Sequence, residues 1–189
     1  EDAIKAFDRA IEIDPQDAYA WYHKGFSLRN LDRYEDAIEA FDKVLEINPR
    51  YTEAWNNKGA TLDNLGRYED ALKAFDMALE INPRYTEAWN NKGAILDNLG
   101  RYEDALKSFD KVAEIDPQDS YAWLNRGATL GNLGRHEDAL KAFDKAIEVD
   151  PQNAYAWYSK GIALKMLDYT ADAGTAFAKA KELGYTGWF

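Results

Sequence analysis

The chain has 189 residues, of which 46% are apolar, and its 34 acidic and 23 basic residues give a formal net charge of -11. This apolar content excludes a disordered segment, and the negative charge opposes binding to nucleic acids or to anionic membranes. The absence of cysteine excludes disulfides and thiolate chemistry and favours a cytoplasmic protein. We therefore expect neutral or basic partners.

Residues 1–17 predict the second helix of a truncated repeat. Ala3, Ile4 and Phe7 recur at the three- and four-residue steps of one helical face. No first helix precedes them, and the chain opens on Glu1 rather than methionine. We interpret the chain as a fragment that starts in the middle of a repeat.

A strict period of 34 residues begins after this segment. It places a tryptophan, a glycine and a proline at fixed positions in each copy, with the tryptophans at Trp21, Trp55, Trp89, Trp123 and Trp157. Such a period indicates one supersecondary unit stacked on copies of itself. The predicted repeats are 18–51, 52–85, 86–119, 120–153 and a terminal copy, 154–187, with a short tail to residue 189.

Each repeat contains two apolar stripes with helical spacing. In the second full copy, Trp55, Gly59 and Leu62 mark the first helix, and Phe75 marks the second. Gly66 between them suits a left-handed helix end. Two helices per repeat follow. In the terminal copy, a glycine and a lysine replace apolar residues that would pack on a following repeat, as a terminal repeat requires.

This pattern resembles the tetratricopeptide repeat, in a form similar to prokaryotic and archaeal arrays. The matching residues of the second copy are Trp55, Gly59, Ala71, Phe75, Ala78 and Pro83, with equivalents in every full repeat. The resemblance implies an all-α fold: a right-handed α-solenoid of stacked antiparallel helix pairs, with about eleven helices. It also implies a protein–protein interaction scaffold without catalytic residues or cofactors.

The same resemblance implies that one side of each first helix lines a concave groove that binds extended peptides. That side lies opposite the Trp-Gly-Leu stripe and is acidic and polar in the central repeats and aromatic in the flanking ones. The candidate peptide-binding residues are Tyr19, Tyr22, Phe26, Glu53, Asn56, Asn57, Asp63, Glu87, Asn90, Asn91, Asp97, Tyr121, Leu124, Asn125, Tyr155 and Tyr158.

Three asparagines, Asn57, Asn91 and Asn125, share one repeat position. An asparagine amide offers two donors and an acceptor, so a row of them suits the backbone of an extended peptide. The alternative is a solvated helix residue copied by duplication, because the second and third full repeats are nearly identical. Both interpretations stay open at this point.

The remaining chemistry favours structural explanations. His136 stands where other copies carry tyrosine, and the two histidines are too far apart in the array for a metal site or a catalytic triad. Two alternatives to a scaffold stay open. The array could recruit substrates for a larger enzyme, such as a transferase, or it could self-associate. For self-association, the open stripe of the truncated N-terminal helix would meet Tyr185, Trp188 and Phe189 of another copy.

Overall fold

The computed structural model describes residues 1–187, which form eleven α-helices joined by short turns, with no strand in that range. The predicted all-α fold of stacked helix pairs is confirmed. By contacts, the chain divides into two compact units, residues 1–95 and residues 96–189. We call them unit 1 and unit 2, and the tail residues Trp188 and Phe189 lie outside the described part of unit 2.

Unit 1 consists of five helices and most of a sixth. They are α1 (Asp2–Ile13), α2 (Ala18–Arg29), α3 (Tyr34–Ile47), α4 (Thr52–Asn64), α5 (Tyr68–Ile81) and α6 (Thr86–Asn98), which unit 2 shares at its end. Successive helices from α1 to α5 pack on each other, and the first helices α2 and α4 also contact each other.

Unit 2 continues with the same alternation of first and second helices. Its helices are α7 (Tyr102–Ile115), α8 (Ser120–Asn132), α9 (His136–Val149), α10 (Ala154–Met166) and α11 (Thr170–Glu182). Here α8 and α10 are the first helices, and they too contact each other. In both units, first helices therefore lie side by side and form a face of their own.

The turn between the helices of a pair depends on one residue in the left-handed region. Gly66, Gly100 and Gly134 have φ of 72° or 73°, as the sequence predicts. Asp32 and Asp168 adopt φ of 58° and 61° at the equivalent positions, where a residue with a Cβ is strained. The backbone of the turn is thus the same in copies with and without glycine.

Close contact between the two helices of a pair depends on the absence of a side chain. A Cβ placed on Gly59 would lie 2.7 Å from Cε1 of Phe75, and one on Gly127 would lie 2.5 Å from Cε1 of Phe143. Phe75 is fully buried with Ala71 beside it. The phenylalanine ring therefore occupies the space that the glycine leaves, as in a close-packed interior.

Each of the five repeat tryptophans, from Trp21 to Trp157, is half-buried and contacts residues of the preceding repeat. Its Nε1 donates to the proline carbonyl six residues earlier at 2.9 to 3.0 Å. The basic residue three positions later lies over the indole ring and pairs with an aspartate of the preceding second helix at 2.5 to 2.7 Å. In α4 these residues are Trp55, Lys58 and Asp42 of α3. We call this arrangement the Trp-Lys-Asp staple.

The N-terminal helix is better covered than the sequence suggests. It packs on α2, Ile4 is buried, and the half-buried ring of Phe7 stacks on His23 at 5.8 Å. At the other end, Tyr185 stacks on Tyr158 within unit 2 at 4.1 Å. This contact comes from the first helix of the following repeat and leaves Phe7 half-buried, so the expected open stripe stays a prediction. Self-association through α1 stays a prediction.

Candidate functional site

The candidate residues of unit 1 lie on α2, α4 and α6, on the surface that we call the first-helix face. Tyr19 is 64% exposed and Phe26 is 39% exposed, and the carboxylates of Glu53 and Glu87 are exposed on the neighbouring helices. Such large aromatic side chains in water are the part of this face that a partner would cover with the greatest gain.

The side chain of Asn57 makes all its hydrogen bonds within the fold. Its Nδ2 donates to the hydroxyl of Tyr22 at 2.9 Å and to the backbone carbonyl of Glu53 at 2.8 Å. Its Oδ1 accepts from the guanidinium of Arg29 at 2.8 Å. With all three polar functions bonded and the residue only 8% exposed, Asn57 is not the open amide that the sequence suggests.

The asparagines of α6 differ from it. Asn91 is half-buried and its Nδ2 donates to Oδ1 of Asn56 at 3.2 Å, while Asn90 is also half-buried. Asn56 itself is 2% exposed, and this hydrogen bond links it to α6. Identical residue types at one repeat position therefore have different environments in successive copies.

A polar cavity of about 450 Å³ opens on the first-helix face of unit 1, and we call it the unit 1 cavity. Three carboxylates and one guanidinium line it, so its formal charge is negative. Burial raises the pKa of the Asp63 carboxyl at its wall. The lining residues are Arg29, Asn30, Asp32, Tyr34, Asn56, Ala60, Asp63, Asn64, Glu87 and Asn91.

Tyrosines surround the glutamates of this face. Tyr22 stacks on Tyr51 with the ring centroids 5.1 Å apart. Tyr85 donates its hydroxyl to Oε2 of Glu87 at 2.9 Å. Burial, followed by that hydrogen bond and the charge of Glu87, raises the pKa of Tyr85 far above its usual value. These tyrosines therefore stay neutral hydrogen-bonding groups at any physiological pH.

The candidate residues of unit 2 have a more apolar setting. Tyr121 on α8 is 67% exposed and Tyr155 on α10 is 54% exposed, whereas Leu124 is buried in the core beside Ala156 and Ala163. The half-buried Asn125 uses its backbone carbonyl to accept from Thr129. The interpretation of Leu124 as an open contact residue thus fails, because α10 covers it.

The other two candidates of unit 2 already have partners. Half-buried Asp97 accepts from Nδ2 of Asn132 at 3.3 Å. Tyr158 is half-buried under the ring of Tyr185, which also lies 6.2 Å from Tyr155. Tyr158 is the fifth residue of its repeat and stacks on a later tyrosine. Tyr22, the fifth residue of its own repeat, stacks on Tyr51 in the same way in unit 1.

A second cavity, of about 350 Å³, lies between α8 and α10, and we call it the unit 2 cavity. Two small residues line it, Gly131 and Ser159, which stand where unit 1 carries Asp63 and Asn57. Phe143 and Ala139 of α9 form part of its apolar lining. The remaining lining residues are Ala128, Asn132, His136, Tyr155, Ile162, Ala163 and Met166.

Sequence reasoning missed several of these residues. Arg29, Asp32 and Tyr34 of the unit 1 cavity were not among the candidates, nor were Gly131 and Ser159 of the unit 2 cavity. A signal was present, because Arg29, Gly131 and Ser159 all depart from the central copies at their repeat position.

Two features are absent from the described residues 1–187. They contain no group of three or more metal-ligating side chains placed to hold an ion. No helix in that range is long and apolar enough to cross a membrane.

Sequence comparison identifies the family. The chain matches the family described as "Tetratricopeptide repeat" over residues 18–51, 52–85, 86–119 and 120–153, and a further repeat of the same description matches residues 142–174. Together these matches span most of the chain, so it belongs to the tetratricopeptide repeat family. Residues 1–31 also match the description "Protein prenyltransferase alpha subunit repeat". No curated protein matches the sequence.

Solved structures resemble this fold over nearly their whole length. "Crystal structure of YrrB: a TPR protein with an unusual peptide-binding site" is 25% identical with a TM-score of 0.79, and the similarity covers 96% of this chain and 93% of that one. "MamA 41-end from Desulfovibrio magneticus RS-1" is 25% identical with a TM-score of 0.81, covering 88% and 94%. A further "Crystal structure of MamA" is 23% identical with a TM-score of 0.79, covering 84% and 93%. All of them share the helical-pair architecture.

Proposed function

We propose that this chain is a protein-interaction scaffold that binds an extended peptide or a segment of a partner protein on its first-helix faces. The observation that carries the proposal is the contrast between constant and variable positions. Copies share the residues that pack helices together, such as Gly59 and Phe75, whereas the flanking copies differ from the two central ones at the positions exposed on this face. Exposed tyrosines at those positions add apolar surface that a partner can bury.

The two cavities support a mixed recognition chemistry. The unit 1 cavity is polar and negatively charged, which suits a neutral or basic segment. The unit 2 cavity is largely apolar, which suits an aliphatic or aromatic side chain. The solved structure of YrrB, described as having a peptide-binding site on the same fold, is consistent with such a role.

A peptide-array screen of the intact chain tests this proposal. We expect captured sequences to be neutral or basic and to carry apolar residues, and acidic peptides to be under-represented. Added salt should weaken basic binders because it screens the carboxylates of the face. An array with no captured peptide, or one dominated by acidic peptides, would contradict the proposal.

A second candidate is an accessory role in a larger enzyme. The prenyltransferase alpha-subunit repeat that matches residues 1–31 favours it. The matched range contains α1 and α2, and so a helical repeat rather than a reacting group. Affinity purification with the intact chain separates the two candidates: a catalytic subunit as stoichiometric partner supports the second, and a partner without one supports the scaffold.

A further inference from the structure

The unit 1 cavity contains a polar group that the fold leaves available. Asn56 is 2% exposed and lines this cavity. Its Oδ1 accepts from Asn91, whereas its Nδ2 donates to no residue in the described range 1–187. This Nδ2 is not among the fully buried polar atoms without a partner, so it keeps access to the cavity, where a ligand oxygen can accept from it.

The same cavity already contains a cationic side chain. Arg29 is the copy-specific residue of its repeat position, where the other copies carry Asp63, Asp97, Gly131 and Lys165. Its guanidinium lies over the ring of Phe26 at 5.3 Å and donates to the amide oxygen of Asn57. One guanidinium is therefore already part of the lining of this cavity.

The negative charge of the cavity lining is larger than the positive charge of Arg29. Asp32, Asp63 and Glu87 contribute three formal negative charges against one positive charge. The wall is partly desolvated, and carboxylates in such a setting gain from a nearby cation. A second cation in the cavity would therefore not make the net charge of its lining positive.

We propose that the unit 1 cavity binds a lysine or arginine residue of an extended partner, with Arg29 as an intramolecular competitor. The side-chain cation of the partner binds the carboxylates of Asp63 and Glu87. A backbone carbonyl of the partner accepts a hydrogen bond from Nδ2 of Asn56. This inference rests on the proposed peptide-binding function and names the residue type that unit 1 selects. Arg29 keeps the empty cavity partly neutralised and lowers the affinity for a basic ligand.

The experiment uses two short peptides that differ in one residue. One is acetyl-Ala-Ala-Lys-Ala-Ala-amide, and the other carries norleucine, which has a similar stem without the charge. Titrations followed by protein amide and asparagine side-chain chemical shifts should show the lysine peptide binding to the intact chain about fivefold tighter. Asp63→Asn and Glu87→Gln should each reduce that preference.

The competitor is tested by removing its charge. Arg29→Gln should strengthen binding of the lysine peptide by about three- to tenfold and leave the norleucine peptide unchanged. Lys165→Gln is the matched control, since it makes the same change of net charge at the same repeat position in unit 2, and it should alter neither affinity more than about twofold.

Three results would overturn the inference: equal affinity for the two peptides, weaker lysine binding by Arg29→Gln, or an equal gain from Lys165→Gln. If the two peptides bind equally well and both change chemical shifts on the first-helix face, the proposed peptide binding stands and only the proposed basic subsite is refuted. Failure of both peptides to shift any resonance, together with an empty peptide array, would remove both proposals.

Discussion

At the residue scale, repetition of a sequence does not repeat an environment. Asn57 and Asn91 share a repeat position, yet Asn57 is bonded to Tyr22 and Arg29 whereas Asn91 reaches Asn56. The difference comes from the preceding helix, because α2 carries a tyrosine and an arginine where α4 carries Asn56 and Asp63. Neighbouring copies, rather than the residue itself, decide whether an asparagine is free for a ligand.

The turn glycines allow a test of backbone strain alone. A Cβ on Gly66 would meet no atom within 4 Å, but its φ is 72°. We therefore expect Gly66→Ala to lower the free energy of unfolding by about 1–2 kcal/mol in denaturant titration. Gly131→Ala is the control, because its Cβ also meets nothing but the residue is helical, and it should be neutral or stabilising by up to about 1 kcal/mol. Equal effects of the two changes would contradict this account of the turn.

Asp63 offers a test by pH. Burial raises its pKa in the folded chain, so the folded state holds the proton more tightly than the unfolded state does. Ionised Asp63 thus lowers stability once the pH exceeds its unfolded pKa, near about 4, and the penalty persists to neutral pH. Asp63→Asn should gain stability relative to the parent chain as the pH rises from acid to neutral. Thermal unfolding of both proteins across that range measures it, and a flat or falling difference would refute the desolvation argument.

At the element scale, the sequence predicts the helices and turns but not the contacts that register one repeat on the next. The 34-residue period and the Gly-Phe spacing are enough to predict the helix pairs, because helical periodicity is a local property of the sequence. Lys58 and Asp42 lie on successive helices, and their pairing follows from the packing of those helices, which no local pattern specifies.

The Trp-Lys-Asp staple should contribute to the interface between repeats. A double-mutant cycle with Lys58→Met and Asp42→Asn keeps the stem of the side chain over Trp55 and removes only the charges. We expect a coupling of about 0.5–1 kcal/mol, since both groups are partly exposed. The pair Lys43–Glu46 within α3 is the control and should couple by at most about 0.5 kcal/mol. A coupling no larger than that of the control would show that the staple adds nothing between repeats.

At the scale of the whole molecule, the family and fold follow from the sequence, whereas the candidate binding surface stays a prediction. Among its proposed residues, Asn56, Asn57 and Leu124 prove buried. The two cavities include residues that differ between copies, such as Arg29 and Gly131, and their linings come from four helices in unit 1 and three in unit 2. A single-helix pattern does not contain that information.

The most direct measurement of the central claim is chemical-shift mapping of a peptide captured by the array. If the chain binds partners on its first-helix faces, perturbations should concentrate on residues such as Tyr19, Glu87 and Tyr155. Second-helix residues such as Lys73 and Met77, whose side chains are exposed away from that face, should stay unperturbed. Perturbations concentrated on the second helices, with the first-helix faces silent, would contradict the account.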